Sequence, residues 1–167
     1  MSERAESLAR RFERAHQEFL AVVEPLSADQ WRADCPDERC TVAALTHHVA
    51  IALPYQIRIF TAMAAGKRTE ALTWAWLAES NADDAAVFAT CDHAETIGLL
   101  NQNAVAAAAF VRSLDADHLA RSGLYIEDVT ALTVDQWIRH VLIGHLTSHL
   151  ASIRDALGRV PIDIGTS

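Results

Sequence analysis

The stretch "LTVDQWIRHVLIGHLTSHLASI", residues 132–153, decides how the chain folds. Its apolar residues recur at steps of three and four rather than two, the repeat of a helix with one buried face. It opens with a capping Thr133, a Gln136 three residues on, and Leu132 and Trp137 placed as a hydrophobic staple. This predicts a helix over 134–157, ended by Gly158 and Pro161. On a wheel of about 100° per residue, Ile138, Leu142, Ile153 and Ala156 share one side. His145 and His149 fall within that side, about 40° apart, whereas His140 falls opposite with Gln136, Thr147 and Arg154.

The same reading extends outward. With only 6 glycines and 4 prolines in 167 residues, and abundant alanine and leucine, the chain reads as all-helical. Helices are predicted over 2–23, with Leu8, Phe12, Phe19, Leu20 and Val23 inward, over 41–64, where Pro54 marks a kink, and over 93–114, starting as early as Ala82 in a longer reading. "LSADQW", residues 26–31, repeats the start signal of "LTVDQW". Here it predicts only a short turn, because Pro36 and the run "ADCPDERC" break the pattern. The connections at 24–40, 66–81 and 115–132 are longer than those joining adjacent antiparallel helices, so at least one is expected to cross the bundle. In the middle connection Trp74 and Trp76 stand either at a cavity mouth or, as the favoured expectation, in an apolar lid packed on the core. The expectation is one domain over residues 1–167, an all-α four-helix bundle with long connections.

Charge narrows the function classes. A net charge of -8 leaves no basic stripe for phosphates, so neither nucleic acid nor an anionic membrane surface is an expected partner. The charged start "MSERAESLARRFERAH" has no signal-peptide core, and the longest apolar run, "AVAAAAFV" at 104–111, is too short to span a bilayer. A cytoplasmic protein is expected. Cys35, Cys40 and Cys91 lack metal or redox spacing and are read as reduced thiols.

Histidine placement raises the functional question. Rings at i and i+4 converge closely enough for one ion, and "HLTSH" resembles the zinc-protease H-E-x-x-H, except that Leu146 stands where the glutamate base belongs. A third ligand must come from another helix, where "TVAALTHHVAIAL" offers His47 and His48. Leu45, Val49, Ala52, Ile59, Phe60 and Met63 set that helix's inward direction; His48 lies at the edge of this face and His47 almost opposite. Periodicity leaves two readings open, a three-histidine metal site or two core histidines bonded to backbone or water plus a surface one. His16, His93 and His118 lie in charged or connecting stretches and are expected to be solvated.

"CTVAALTHHVA" and "HLTSHLASI", together with the texture of "LSADQW" and "LTVDQWIRHVLIGHLTSH", resemble the DinB/YfiT-like superfamily of metal-dependent enzymes over nearly the whole chain. Cys40 replaces the family's usual aromatic, and counting from it puts the family's first histidine on His48. The resemblance implies a DinB/YfiT-like four-helix bundle with a crossover, often a homodimer. It also implies a divalent ion, zinc or nickel, held by His48, His145 and His149. It extends to the metal domain of mycothiol-dependent maleylpyruvate isomerases and to bacillithiol transferases. No second domain is expected after Ser167, so the isomerase activity is not.

Three neutral imidazoles leave coordination positions open for Lewis-acid chemistry on a small-molecule substrate. No carboxylate other than the one Leu146 replaces is fixed to that face by spacing. The expectation therefore leans to a thiol-dependent S-transferase using a low-molecular-weight thiol such as mycothiol on a small electrophile. The alternatives are a metal-dependent hydrolase and a non-catalytic metal- or small-molecule-binding protein.

Overall fold

The computed structural model describes residues 2–159. In chain order the elements are α1 (Glu3–Val23), α2 (Ala28–Trp31), β1 (Asp34–Cys35), β2 (Cys40–Thr41), α3 (Val42–Ala64), α4 (Trp74–Val87), α5 (His93–Ser113), α6 (Ala116–Ala120), β3 (Ser122–Gly123), β4 (Leu132–Thr133), α7 (Val134–Trp137), a π-helical segment (Ile138–Ile143) and α8 (Gly144–Gly158). The last three run on as one rod. Its predicted stop at Gly158 holds, while Pro161 lies outside the described residues.

Local chemistry explains the starts. Ser27 with Gln30 and Thr133 with Gln136 form reciprocal capping boxes, so the repeated hexapeptide opens a helix twice. The first stops after one turn, and the chain reverses in the β1–β2 hairpin, pairing Asp34 with Thr41 and Cys35 with Cys40. Pro54 does not interrupt α3. Its missing N–H would have bonded the Ala50 carbonyl one turn back, and the Asn103 side-chain amide donates there instead, at 2.9 Å.

Four long rods form the bundle: α1, α3, α5 and the α7–π–α8 rod. Both α1 and α3 pack against α5 and α8, which makes α1 and α3 diagonal to each other. The end contacts set direction. His93 at the start of α5 meets the Val23 carbonyl at the end of α1, and Arg112 near the end of α5 bonds Glu6 and Glu13 near the start of α1, so those two run antiparallel. The Thr41 hydroxyl donates to the Ala89 carbonyl, 2.9 Å, so α3 and α5 begin at the same end and run parallel. Arg4 pairs with Asp135, placing the first and last rods side by side in the same sense.

Consequently the α1–α3 and α5–α7 connections cross the diagonal, and the α3–α5 connection must return the length of the bundle. It does so with α4 on the outside against α3. The connection expected at 66–81 contains a helix of its own, α4, which has no buried residue. Because it covers the bundle without entering it, periodicity of core positions gave no signal.

The core is continuous between the rods, with Phe12, Phe19, Leu53, Phe60, Leu100, Ile138, Leu142 and Ile153 fully buried. Leu146 belongs to it at 0% exposure. His16, read as solvated, is buried at 6% against Phe12, because α1 is enclosed on more of its circumference than its charged sequence suggests. Among the described residues no helix is long and apolar enough to cross a membrane. Replacing Phe12 by Ala leaves a cavity the rods cannot close, and urea unfolding should record a loss of about 3–5 kcal/mol. A loss under about 1 kcal/mol would contradict this packing.

Candidate metal centre

Antiparallel packing of α3 on α8 brings His48, His145 and His149 together. One nitrogen from each lies within 4.8 Å of the others. Nε2 of His48 and Nε2 of His145 are 3.0 Å apart. Two nitrogens bound to one ion at about 2.0–2.1 Å, at angles between right and tetrahedral, sit roughly 2.9–3.4 Å apart, so this pair fits a shared ion without rearrangement. His47 is turned away, as the wheel indicated, and its ring stacks on Phe88 at 3.6 Å.

A carboxylate orients one of the rings and a second lies near another. His149 Nδ1 donates to Glu38 Oε1 at 3.0 Å, which leaves its Nε2 with a lone pair that could bind an ion. The Ser152 hydroxyl donates to the same oxygen at 2.8 Å. His48 Nδ1 lies 3.9 Å from Asp84 Oδ2, too long for a hydrogen bond but close enough for attraction. His145 Nδ1 is buried without a partner among the described residues.

Burial sets the protonation. It drives His48 down to about 4, helped by charge on His149 and opposed by Asp84 and Glu38. Burial, then His149 and His48, likewise holds His145 well below the ordinary imidazole range. Both rings are therefore neutral at pH 7, the form that binds metal. Burial alone would raise the Glu38 carboxyl, but the Ser152 hydroxyl and His149 outweigh it and hold it below the usual range. The donor set thus fits a divalent ion: His48 and His145 neutral, and Glu38 accepting from His149 behind it.

A cavity of about 720 Å³ opens beside the triad. Tyr55, Trp74, Trp76 and Tyr125 supply aromatic walls, and Tyr55 stacks on Trp76 at 5.8 Å. Trp74 and Trp76 are 53% and 45% exposed, so they stand at the mouth and do not pack the core as the favoured expectation had it. Asp84 lines the cavity, and among the described lining residues none is Lys or Arg.

Glu38 and Asp84 are carboxylates near the triad that the spacing of the last helix could not supply. Glu38 arrives on the turn of the β1–β2 hairpin, where Arg39 adopts φ 55, and a turn carries no periodic signal. Asp84 sits on α4, where Leu77, Ser80, Asn81 and Asp84 face the cavity at helical spacing. That pattern was available once 74–87 was recognised as a helix. His140, placed outward by the wheel, borders the cavity because the i→i+5 turn of the π segment adds about one residue to the local repeat and rotates the upstream face.

Elsewhere, His93 meets the Val23 carbonyl and His118 caps α6 with Asp115, so neither is simply solvated. Cys35, Cys40 and Cys91 are free thiols. Burial raises all three, Cys35 to about 12 and Cys40 to about 11, which removes them as nucleophiles near neutrality.

Because His48 binds its proton more weakly folded than unfolded, the unfolded chain takes up protons first as pH falls below about 6.5. The stability present above that pH is lost progressively down to about 4. For the ion-free protein this costs about 2 kcal/mol at pH 5 from His48 alone, with His145 and buried His16 adding in the same direction. Urea midpoints at pH 7 and 5 after chelator treatment measure it, and equal midpoints would mean the folded rings take up protons as readily as the unfolded ones.

Comparison with known proteins places this geometry. Residues 11–153 match the DinB superfamily. No curated protein matches the chain. Among solved structures the chain is similar to YfiT from Bacillus subtilis, described as a probable metal-dependent hydrolase with an unusual four-helix bundle topology. The two are 20% identical, the match covers 95% of this chain and 89% of that one, and the TM-score is 0.72. At that identity the likeness carries the fold, here the bundle with two diagonal crossings and a full-length return. With most of its length matched and the bundle architecture shared, the chain belongs to the DinB superfamily.

Proposed function

We propose that this protein is a divalent-metal-dependent hydrolase acting on a small uncharged substrate, with His48, His145 and His149 holding the ion. The observation that carries the reading is the three-imidazole cluster opening onto a cavity that also presents the Asp84 carboxylate. A divalent ion, zinc or nickel by its fit to imidazole, would supply Lewis acidity there and lower the pKa of a ligated water or thiol. Asp84 accepts the nucleophile's proton, the role whose apparent absence had favoured a transferase. Glu38 holds His149 in the tautomer that presents Nε2, and the aromatic mouth limits water around the substrate. The description of YfiT as a probable metal-dependent hydrolase agrees with this reading.

Thiol-dependent S-transfer stands as a second reading, because one further observation favours it. Tyr55, Trp74 and Trp76 beside Ser80 and Asn81 suit a polyhydroxylated uncharged thiol such as mycothiol. A thiol carrying phosphates or several carboxylates finds no Lys or Arg among the described lining residues.

Three measurements test the proposal. His149→Ala should abolish retention of zinc or nickel after purification without a histidine tag, and Glu38→Gln should weaken affinity by about 10- to 100-fold. Unchanged metal content in His149→Ala would sink the ligand assignment. With metal content unaltered, Asp84→Asn should slow turnover of neutral aryl esters by about 10²-fold or more. Metal-dependent conjugation of mycothiol to an electrophile, without ester turnover, would select the transferase instead. Tight metal binding with neither activity would leave a binding protein.

A further inference from the structure

Gln56 breaks the pattern of α3. It shares the inward stripe of Val49, Leu53, Phe60 and Met63, all at most 1% exposed, and is itself 2% exposed. Yet its Oε1 has no hydrogen-bond partner among the described residues. Native interiors seldom leave such an atom unpaired, and an apolar residue would fill this position at less cost to the fold. The side chain borders the cavity instead of a closed core.

Its position gives the isolation a use. His48, Ala52 and Gln56 line the cavity from successive turns of α3. Eight residues separate the first from the last, about 12 Å along the axis, so Gln56 stands at the end remote from the histidines. Tyr125 lines the same cavity, its ring 5.7 Å from that of Phe60, one turn beyond Gln56. Burial raises the Tyr125 phenol to about 12, so it remains an O–H donor at neutral pH. Gln56 and Tyr125 thus both border that end, and the stacked Tyr55–Trp76 pair offers a flat apolar wall to the same cavity.

We propose that Gln56 is the specificity-determining residue of this cavity, its amide reading a hydroxyl or carboxamide at the end of an uncharged, ring-containing substrate remote from the histidines. The proposal rests on the reading of the cavity as the substrate site and is independent of which reaction occurs there.

The full chain is compared with Gln56→Met, a replacement of similar volume that removes the amide. Two probes share a hydroxamate head and a cinnamoyl spacer and differ only in a para carboxamide or a para methyl group. Calorimetry measures both against zinc-loaded and zinc-free protein. The wild type should prefer the carboxamide probe by about tenfold or more, and Gln56→Met should lose or reverse that preference. The variant's melting temperature should rise by about 2–4 °C, since a buried unpaired amide has been removed. An unchanged preference in the variant, or no binding of either probe to any form, overturns the assignment. Affinities indifferent to zinc would sink the metal reading alone, because the tail preference is read with and without the ion.

Discussion

The contact on which the molecule depends is the antiparallel packing of α3 on α8, which sets His48 Nε2 3.0 Å from His145 Nε2 across 97 positions of sequence. Two half-buried imidazoles that approach so closely must share a proton or an ion, because each brings a donor and an acceptor into a space with little water. Burial then removes charge from both rings, so each has one nitrogen lone pair to offer. The chemistry of the site is therefore a consequence of helix packing before any ligand is considered.

Topology supplies the rest. Because α3 and α5 run parallel, the chain must return along the bundle between them, and α4 is that return. A helix with no buried residue would be a liability as a core element. Lying outside α3, it instead provides Trp74, Trp76 and Asp84 to the cavity. The unusual helix order and the presence of a walled site are thus one arrangement. The hairpin that begins the diagonal crossing serves similarly, since its turn delivers Glu38 to His149 and Ser152.

Some departures from ordinary packing lie in this region. His145 Nδ1 and Gln56 Oε1, both on residues lining the cavity, are buried without partners among the described residues, as are His16 Nε2, His47 Nδ1 and Arg139 Nε elsewhere, and a π-helical turn lies just before His145. Away from it, caps are reciprocal, the carbonyl freed by Pro54 is satisfied by Asn103, and Phe12, Phe19 and Phe60 are fully enclosed. At the cavity the relaxed positions are ones whose polar groups belong to its lining.

What the sequence determined by itself was set by local chemistry. The long helices start and stop within a residue of expectation at Glu3–Val23, Val42–Ala64, His93–Ser113 and Val134–Gly158, because caps and the three-and-four repeat act over a few residues. His145 and His149 were legible as a pair because one helix carries both, and His48 was separable from His47 by the face it occupies. Tertiary structure decided what depends on elements far apart in the chain. Glu38 sits on a turn without period, Asp84 on a helix that buries nothing, His140 behind a π turn that a regular wheel misplaces, and Gln56 on an apolar stripe that turns out to border a cavity. A repeat in sequence reports which face of a helix is buried; only the packed bundle sets what that face meets.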